Sequence, residues 1–384
     1  GFPVLPYDNV HEPTYAPTSL LGFHDGPDLR LVPTALIGRT YKGVITRRTN
    51  IHHLRYYEVE GNPNLRLRLS EYLNESRGLQ TTPKNIFITR GSSMAIYLAA
   101  MALLTDGDAV ITGDPAYYYA DRTFTHFGAK LLRVPVDGHG IRTDAVEDLC
   151  KRERIRLLYV TPHHHFPTTV TLCAARRMEL LALSAKYGFV ILEDDYDFDF
   201  QYETSPLLPL ASADSDGMVV YVGSMSKTFA PFLRVGFLVA PKNLMDKVAR
   251  LRQIIDVQGD YMLEQTVAEL FYLGEIKRHM KKALKIYKQR RDVFCQLFQE
   301  KLGDRVQFKK PDGGMAVWAQ FDPALSLPEI SERARKQGLV ISNGLIYDKA
   351  SERKWNATRM GFACVNEGEI ERAMNVLEKV VREI

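Results

Sequence analysis

The sequence predicts an α/β fold: a mostly parallel sheet with helices on both faces, followed by a smaller α+β domain at the C-terminus. Three observations predict it. Short apolar runs alternate with helical stretches through the first two thirds of the chain, the pattern of βα units. After Pro241 the pattern changes to long amphipathic helices and a final mixed segment. The length of 384 residues fits one large and one small domain better than a single compact core. The expected limits are 1–50 for an N-terminal arm and part of the small domain, 51–280 for the large domain and 281–384 for the small one.

The opening stretch, GFPVLPYDNVHEPTYAP, is proline-rich and aperiodic, so it reads as an extended arm or the tail of a linker. NLRLRLSEYLNESRG, beginning at Asn62, has helical spacing and stops at Gly78, a natural helix terminator. NIFIT then leads into SSMAIYLAAMALL, AVIT into DPAYYYADRTFTHFG, RLLYV into TPHHHFP and AARRMELLALSAKYG, and FVIL into EDDYDFDF. Each apolar run is short and rich in β-branched or bulky residues, as buried strands are. VVYVGSMSKTFAPFLRVGFLVAP begins and ends as a strand. LMDKVARLRQIID and the long stretch from YMLEQ to QEKL read as connecting helices. GGMAVWAQF, ISERARKQGLVIS and the last helix near EGEIERAMNVLEKVVREI complete the small domain.

Composition narrows the function. Lys plus Arg number 50 against 46 Asp plus Glu, and the net charge of +4 gathers into no basic stripe of the kind that binds nucleic acid. Cys150, Cys173, Cys295 and Cys364 stand far apart with no CxxC, as reduced thiols of a cytoplasmic protein do. No signal peptide or apolar run of transmembrane length is visible, so no membrane partner is expected.

In a parallel α/β sheet, ligands bind outside the carboxyl ends of the strands. After NIFIT come Gly91, Ser92 and Ser93 at a helix start, either a plain N-cap or a phosphate site. After AVIT, Tyr117 either packs in the core or stacks on a planar ligand. After RLLYV stand His163, His164 and His165; adjacent residues converge poorly on one ion, so no metal is expected. After FVIL, the carboxylates Glu193, Asp194, Asp195 and Asp197 are either a solvated loop or partners of a cation such as a protonated ring nitrogen. After VVYV come Ser224, Ser226 and Lys227, with Arg234 seven positions further on. A lone lysine in a buried pocket has a depressed pKa and is a good Schiff-base amine, and an arginine fork suits a phosphate; taken singly, each could equally reach solvent or an ion pair. Together these residues put phosphate ligands, an acid, an aromatic and an amine at one sheet edge, the set that pyridoxal 5′-phosphate (PLP) requires.

The chain resembles the aminotransferase-like domain of MocR-type regulators of the GntR family, within the fold-type I PLP aminotransferase class. The resemblance runs from GFHDGPDLRLVP through EYLNESRG, TPHHHFPTT, ILEDDYDFDF and SMSKTFAPFLRVGF to TRMGFACVNEGEIERA. It implies a seven-stranded, mostly parallel sheet. It also implies that Lys227 carries the cofactor, Asp194 pairs with its ring nitrogen, Tyr196 reaches its ring hydroxyl and Tyr117 stacks on it. Ser92, Ser93, Ser224, Ser226 and Arg234 would hold the phosphate, and Tyr56 would reach the phosphate of a partner subunit, implying a homodimer. Arg359 would grip a substrate carboxylate. The chain departs from the family at Phe166-Pro167-Thr168-Thr169, where a glycine normally closes the motif, and at His165, where glutamine is usual and the substrate lies near. GGMAVW reads more like an ordinary aminotransferase than a regulator.

Two functions share this site. One is the effector-sensing domain of a transcriptional regulator, which binds an amino acid or amine and touches DNA only through a winged-helix domain of about 70–110 residues ahead of Gly1 in the parent protein. The other is a stand-alone aminotransferase converting an amino acid to its 2-oxo acid. A scaffold of the same fold that binds no PLP is the third and weakest reading, because every cofactor ligand is present.

Overall fold

Short runs buried almost along their whole length form the strands, and left-handed glycines such as Gly78 and Gly188 end helices. The computed structural model describes residues 20–48, 55–203, 207–347 and 355–384. The expected N-terminal arm, residues 1–17, lies outside them. The described chain starts with the two-residue strand β1 (Leu21–Gly22) and helix α1 (Thr34–Thr46). Helix α2 (Pro63–Arg77) begins where the Asn62 side chain accepts the N–H groups of Asn64 and Leu65, and it ends at Gly78, whose φ of 63° is left-handed.

The βα units follow: β2 (Ile86–Thr89), α3 (Gly91–Leu103), β3 (Ala109–Asp114), α4 (Tyr118–His126), β4 (Lys130–Asp137), β5 (Gly140–Ile141), α5 (Thr143–Arg152), β6 (Ile155–Val160), α6 (Ala174–Tyr187), β7 (Val190–Asp195), α7 (Leu210–Ala213), β8 (Val219–Ser224), α8 (Met225–Thr228) and β9 (Gly236–Val239). Their strands form one sheet in the order β2-β9-β8-β7-β6-β3-β4-β5. The five strands from β8 to β4 run parallel, while β9 is antiparallel to both its neighbours. The eighth strand, β5, adds to the seven expected only as a two-residue antiparallel pairing on β4.

Alternate residues feed different cores. Leu157, Tyr159, Val220 and Val222 pack with α3 on one face. Leu158 and Val160 pack with α6, and Tyr221 with α2, on the other. Both faces are thus covered, which is why the strand runs read as nearly continuous apolar segments.

The long helical stretch is divided into α9 (Lys242–Ile255), α10 (Tyr261–Tyr272) and α11 (Glu275–Leu302); Gly274, at φ 71°, separates the last two. After them come β10 (Val306–Gln307), β11 (Ala316–Phe321), α12 (Leu327–Lys336), β12 (Leu339–Val340), β13 (Ala357–Gly361) and α13 (Glu367–Arg382). The antiparallel β10-β11-β13 sheet packs with α11 and α13 in a core of its own, which also takes in Phe23. Strand β1 pairs with β12, so the chain's early segment belongs physically with its last elements. The four cysteines are all free thiols. Among the described residues no helix is long and apolar enough to cross a membrane.

Candidate active site

A cavity of 720 Å³ opens at the carboxyl ends of the central strands. Its first wall is the start of α3. Gly91 has a φ of 76°, and a side chain there would put its Cβ 2.6 Å from the Arg234 guanidinium. On the paired strand, a Cβ at Gly236 would lie 2.5 Å from the Gly91 carbonyl carbon. Two glycines therefore let β9 close onto α3, setting Arg234 beside the helix N-terminus. Arg234 itself adopts left-handed backbone (φ 51°) and donates from Nη2 to the Arg90 carbonyl at 3.0 Å. Arg90 gives α3 no side-chain cap, so the first-turn N–H groups are left for another acceptor. Ser92, Ser93, Ser224, Ser226 and Arg234 all line the cavity here. The Ser224 hydroxyl caps α8 by accepting the Ser226 N–H at 3.1 Å, while the buried Ser226 Oγ has no partner. Hydroxyls, a guanidinium and a helix N-terminus together form an anion site.

The second wall is the end of β7. Successive side chains of a strand point to opposite faces, and this divides the acidic run. Glu193 is buried away from the cavity, accepts the N–H groups of Leu210 and Ala211 at 2.9 Å each, and is pushed up to about 8 by burial. Asp195 is buried too, but His163 and Arg77 overcome the desolvation and hold its pKa at about 2. Asp194 lines the cavity between them. Its Oδ2 accepts the Tyr159 hydroxyl at 2.9 Å, and its buried Oδ1 has no partner. Burial pushes this carboxyl up to about 7, with the Tyr159 hydrogen bond pulling the other way and Asp195 and Asp197 adding to the rise. An unpaired, desolvated carboxylate oxygen on a cavity wall is a site waiting for a cation.

The three histidines diverge. His163 Nδ1 lies 3.1 Å from Asp195, His164 Nδ1 lies 2.7 Å from Asp197, and His165 Nε2 lies 2.8 Å from the Pro115 carbonyl. Among the described residues no group of side chains is arranged to hold a metal.

Tyr117, Phe166 and Tyr196 give the cavity its aromatic side, with the Tyr117 and Phe166 rings edge to face at 4.9 Å. The Tyr196 hydroxyl is directed to the His164 carbonyl at 2.8 Å rather than into open space. Lys227 lines the cavity but is not the lone lysine expected. It donates to the Asp25 carbonyl, and its Nζ lies 3.8 Å from Asp25 Oδ2. Asp25 also holds Arg359, at 3.1 Å from Nε and 3.3 Å from Nη2.

The structure thus brings Ser92, Ser93, Tyr117, Asp194, Tyr196, Ser224, Ser226, Lys227 and Arg234 to one cavity. Three expected residues stand apart from its wall. Tyr56 is 81 % exposed, Arg359 lies behind Asp25, and the buried His165 ring is spent on the Pro115 carbonyl, with burial lowering its pKa to about 4. Sequence reading missed Asp25 and Tyr159. Tyr159 sits inside an apolar strand run and looks like core. Asp25 sits in a loop without periodicity.

The profile of the Aminotransferase class I and II family matches residues 47–377. The chain belongs to that family. Its architecture is the fold-type I architecture of the PLP-dependent aminotransferases. Among relatives, aromatic-amino-acid aminotransferase 1 of Thermococcus litoralis is 27 % identical over 91 % of this chain and 85 % of its own length. The HTH-type transcriptional regulator YdfD of Bacillus subtilis is 30 % identical over 86 % of this chain and 67 % of its own. The probable rhizopine catabolism regulatory protein MocR of Rhizobium meliloti is 29 % identical over 84 % and 64 %. The chain therefore spans about two thirds of these two regulators and most of the aminotransferase. Among solved structures, LysN, the α-aminoadipate aminotransferase of Thermus thermophilus, in complex with N-(5′-phosphopyridoxyl)-L-leucine, superposes with a TM-score of 0.88 at 25 % identity, covering 95 % of this chain and 93 % of its own.

Proposed function

We propose that this chain is a PLP-binding aminotransferase-like domain that takes an amino compound, and that it serves as the effector-sensing domain of a MocR-type regulator. The observation that carries the cofactor is Asp194: a buried carboxylate oxygen without a partner, facing the same cavity as an amine and an anion cup. These residues fit PLP. Ser92, Ser93, Ser226, Arg234 and the α3 N-terminus would hold its phosphate, and Tyr117 and Phe166 would flank its ring. When bound, the cofactor supplies an electron-accepting ring that stabilises negative charge on the carbon bearing the amine.

The chain's own residues do the rest. Asp194, with its free oxygen on the cavity wall, would pair with the ring nitrogen and hold a proton there. Lys227 Nζ would supply the amine that holds the cofactor and would move a proton at the substrate carbon. Phe166, Tyr196 and Tyr117 exclude water from that carbon. Tyr56, exposed in one protomer, would reach the phosphate site of a partner, so the working unit is a homodimer. DNA is touched only through a winged-helix domain of the parent protein, the arrangement that the HTH-type names of the relatives support.

The stand-alone aminotransferase is the second reading, favoured by the 85 % coverage of the Thermococcus enzyme. The deciding experiment is the visible spectrum of the PLP-loaded protein during addition of single amino acids and amines. A ligand that shifts the spectrum and stays bound, with no carbonyl product released, marks a sensor. Release of a carbonyl product, reversed by a 2-oxo acid, marks an aminotransferase. A protein that acquires no visible absorbance from PLP refutes both.

A further inference from the structure

Arg359 is closed off from the cavity. Its side chain is 2 % exposed against 25 % for Asp25. The guanidinium is forked by both Asp25 oxygens, donates to the Pro167 carbonyl at 3.4 Å, and lies over the Phe166 and Tyr196 rings at 5.0 and 5.8 Å. Asp25 lines the cavity and Arg359 does not. An internal carboxylate thus already occupies this guanidinium on the cavity side.

Backbone packing fixes this carboxylate in place. The Gly361 N–H donates to the Phe23 carbonyl at 3.1 Å, and a Cβ at Gly361 would fall 2.0 Å from the His24 carbonyl oxygen. Three residues on, buried Asp28 accepts from Arg290 at 2.9 Å, and its N–H donates to the Tyr287 hydroxyl at 2.9 Å. Asp25 is therefore held between two anchored points and aimed at both Arg359 and Lys227. The pair of cations overcomes burial and keeps its pKa at about 2, so it is charged at any working pH. A ligand carboxylate would have to expel Asp25 and then sit beside it, with one guanidinium for two anions. An amine without that carboxylate meets no such conflict.

We propose that Arg359 is the arginine that would take a ligand carboxylate, that Asp25 occupies it, and that Asp25 thereby sets the ligand class of this site: primary amines whose amine-bearing carbon carries no carboxylate. This rests on the PLP reading above, and the test separates the two. PLP-loaded protein is titrated with matched pairs, L-phenylalanine against phenethylamine and L-lysine against 1,5-diaminopentane, following the visible spectrum. The wild type favours the amine of each pair. Asp25→Asn and Asp25→Ser free the guanidinium, which is expected to tighten amino-acid binding about 10- to 100-fold, the range for a charged hydrogen-bonded contact, and to leave the amines within a few-fold. Arg359→Ala on either background abolishes that gain.

A second readout needs neither turnover nor cofactor. Maleate binding to the apo protein, by calorimetry, is absent in the wild type and appears in both Asp25 variants. A chain that takes up no PLP sinks the cofactor reading, while the maleate titration still decides the role of Asp25. A wild type that binds the amino acid as tightly as its amine, or Asp25 variants that gain neither maleate nor amino-acid affinity, overturns the proposal.

Discussion

Replacing Asp194 with Asn should stabilise the apo protein, and more so as pH rises. The carboxyl moves from an ordinary 3.8 to about 7 in the fold because burial penalises its charge. A group whose folded pKa lies above its unfolded one keeps its proton longer in the folded chain. Stability is therefore lost as pH rises from about 4 to about 7, in total about 4 kcal/mol. Over a third of that is already lost at pH 5 and nearly all of it at pH 8. Asn keeps the shape and can still accept the Tyr159 hydroxyl, but carries no charge. Urea unfolding of wild type and Asp194→Asn, at fixed protein concentration, should show a gain about 3 kcal/mol larger at pH 8 than at pH 5, roughly 1 M in midpoint. Glu193, pushed up to about 8, and Glu264, pushed up to about 7, titrate with the same sign but are present in both proteins and cancel. An equal gain at both pH values would mean that burial does not hold the proton on Asp194. In the PLP-loaded protein the ordering reverses, because the variant lacks the anion that pairs with the ring nitrogen.

Three further outcomes are expected. Arg234→Ala should weaken PLP about 10- to 100-fold and leave pyridoxal, which has no phosphate, unchanged; equal losses for both would remove Arg234 from the phosphate cup. Tyr56→Phe should weaken PLP about tenfold while light scattering still reports a dimer, and unchanged affinity would remove the partner contact. Thr169, at φ 62°, is a β-branched residue in left-handed backbone, where strain is about 1–2 kcal/mol. Thr169→Gly removes that strain at an entropy cost of about 0.5–1 kcal/mol, so a urea midpoint equal to or above wild type is expected and a clear drop would contradict it.

The strands and most of the cavity wall were legible because both signals are local. A strand buried on two faces is apolar along its length, and the residues that follow it in the chain also follow it in space. Asp194, Lys227, Ser224 and Ser226 each sit at or just past a strand end, so sequence order located them. Thr169 was visible as a departure from a motif that closes with glycine, and the structure gives it the backbone that glycine normally takes. Contacts between distant segments were not legible. Asp25 and Arg359 are separated by 334 residues, and no periodicity marks either as the other's partner. The same holds for Tyr159, whose hydroxyl matters only because the neighbouring strand puts Asp194 beside it. His165 was placed by analogy to a glutamine, but one carbonyl within hydrogen-bond reach sufficed to turn its ring aside.

The pairing of Leu21 with Leu339 in β1 and β12 also gives the protein an order of assembly. On the ribosome the chain emerges from its N-terminus at roughly 5–20 residues per second. The sheet that carries Asp194 and Lys227 can therefore form while the segment bearing Asp25 still has nothing to dock on. That segment meets its anchors on α11 first and its strand partners β12 and β13 last, on the order of 5–25 s after β9 has emerged. During that interval the nascent domain has an open site, accessible to cofactor. Pairing of β1 with β12 and packing of the Phe23–Asp25 segment against Gly361 seat Asp25, so the docking of these segments is itself the event that shuts off Arg359.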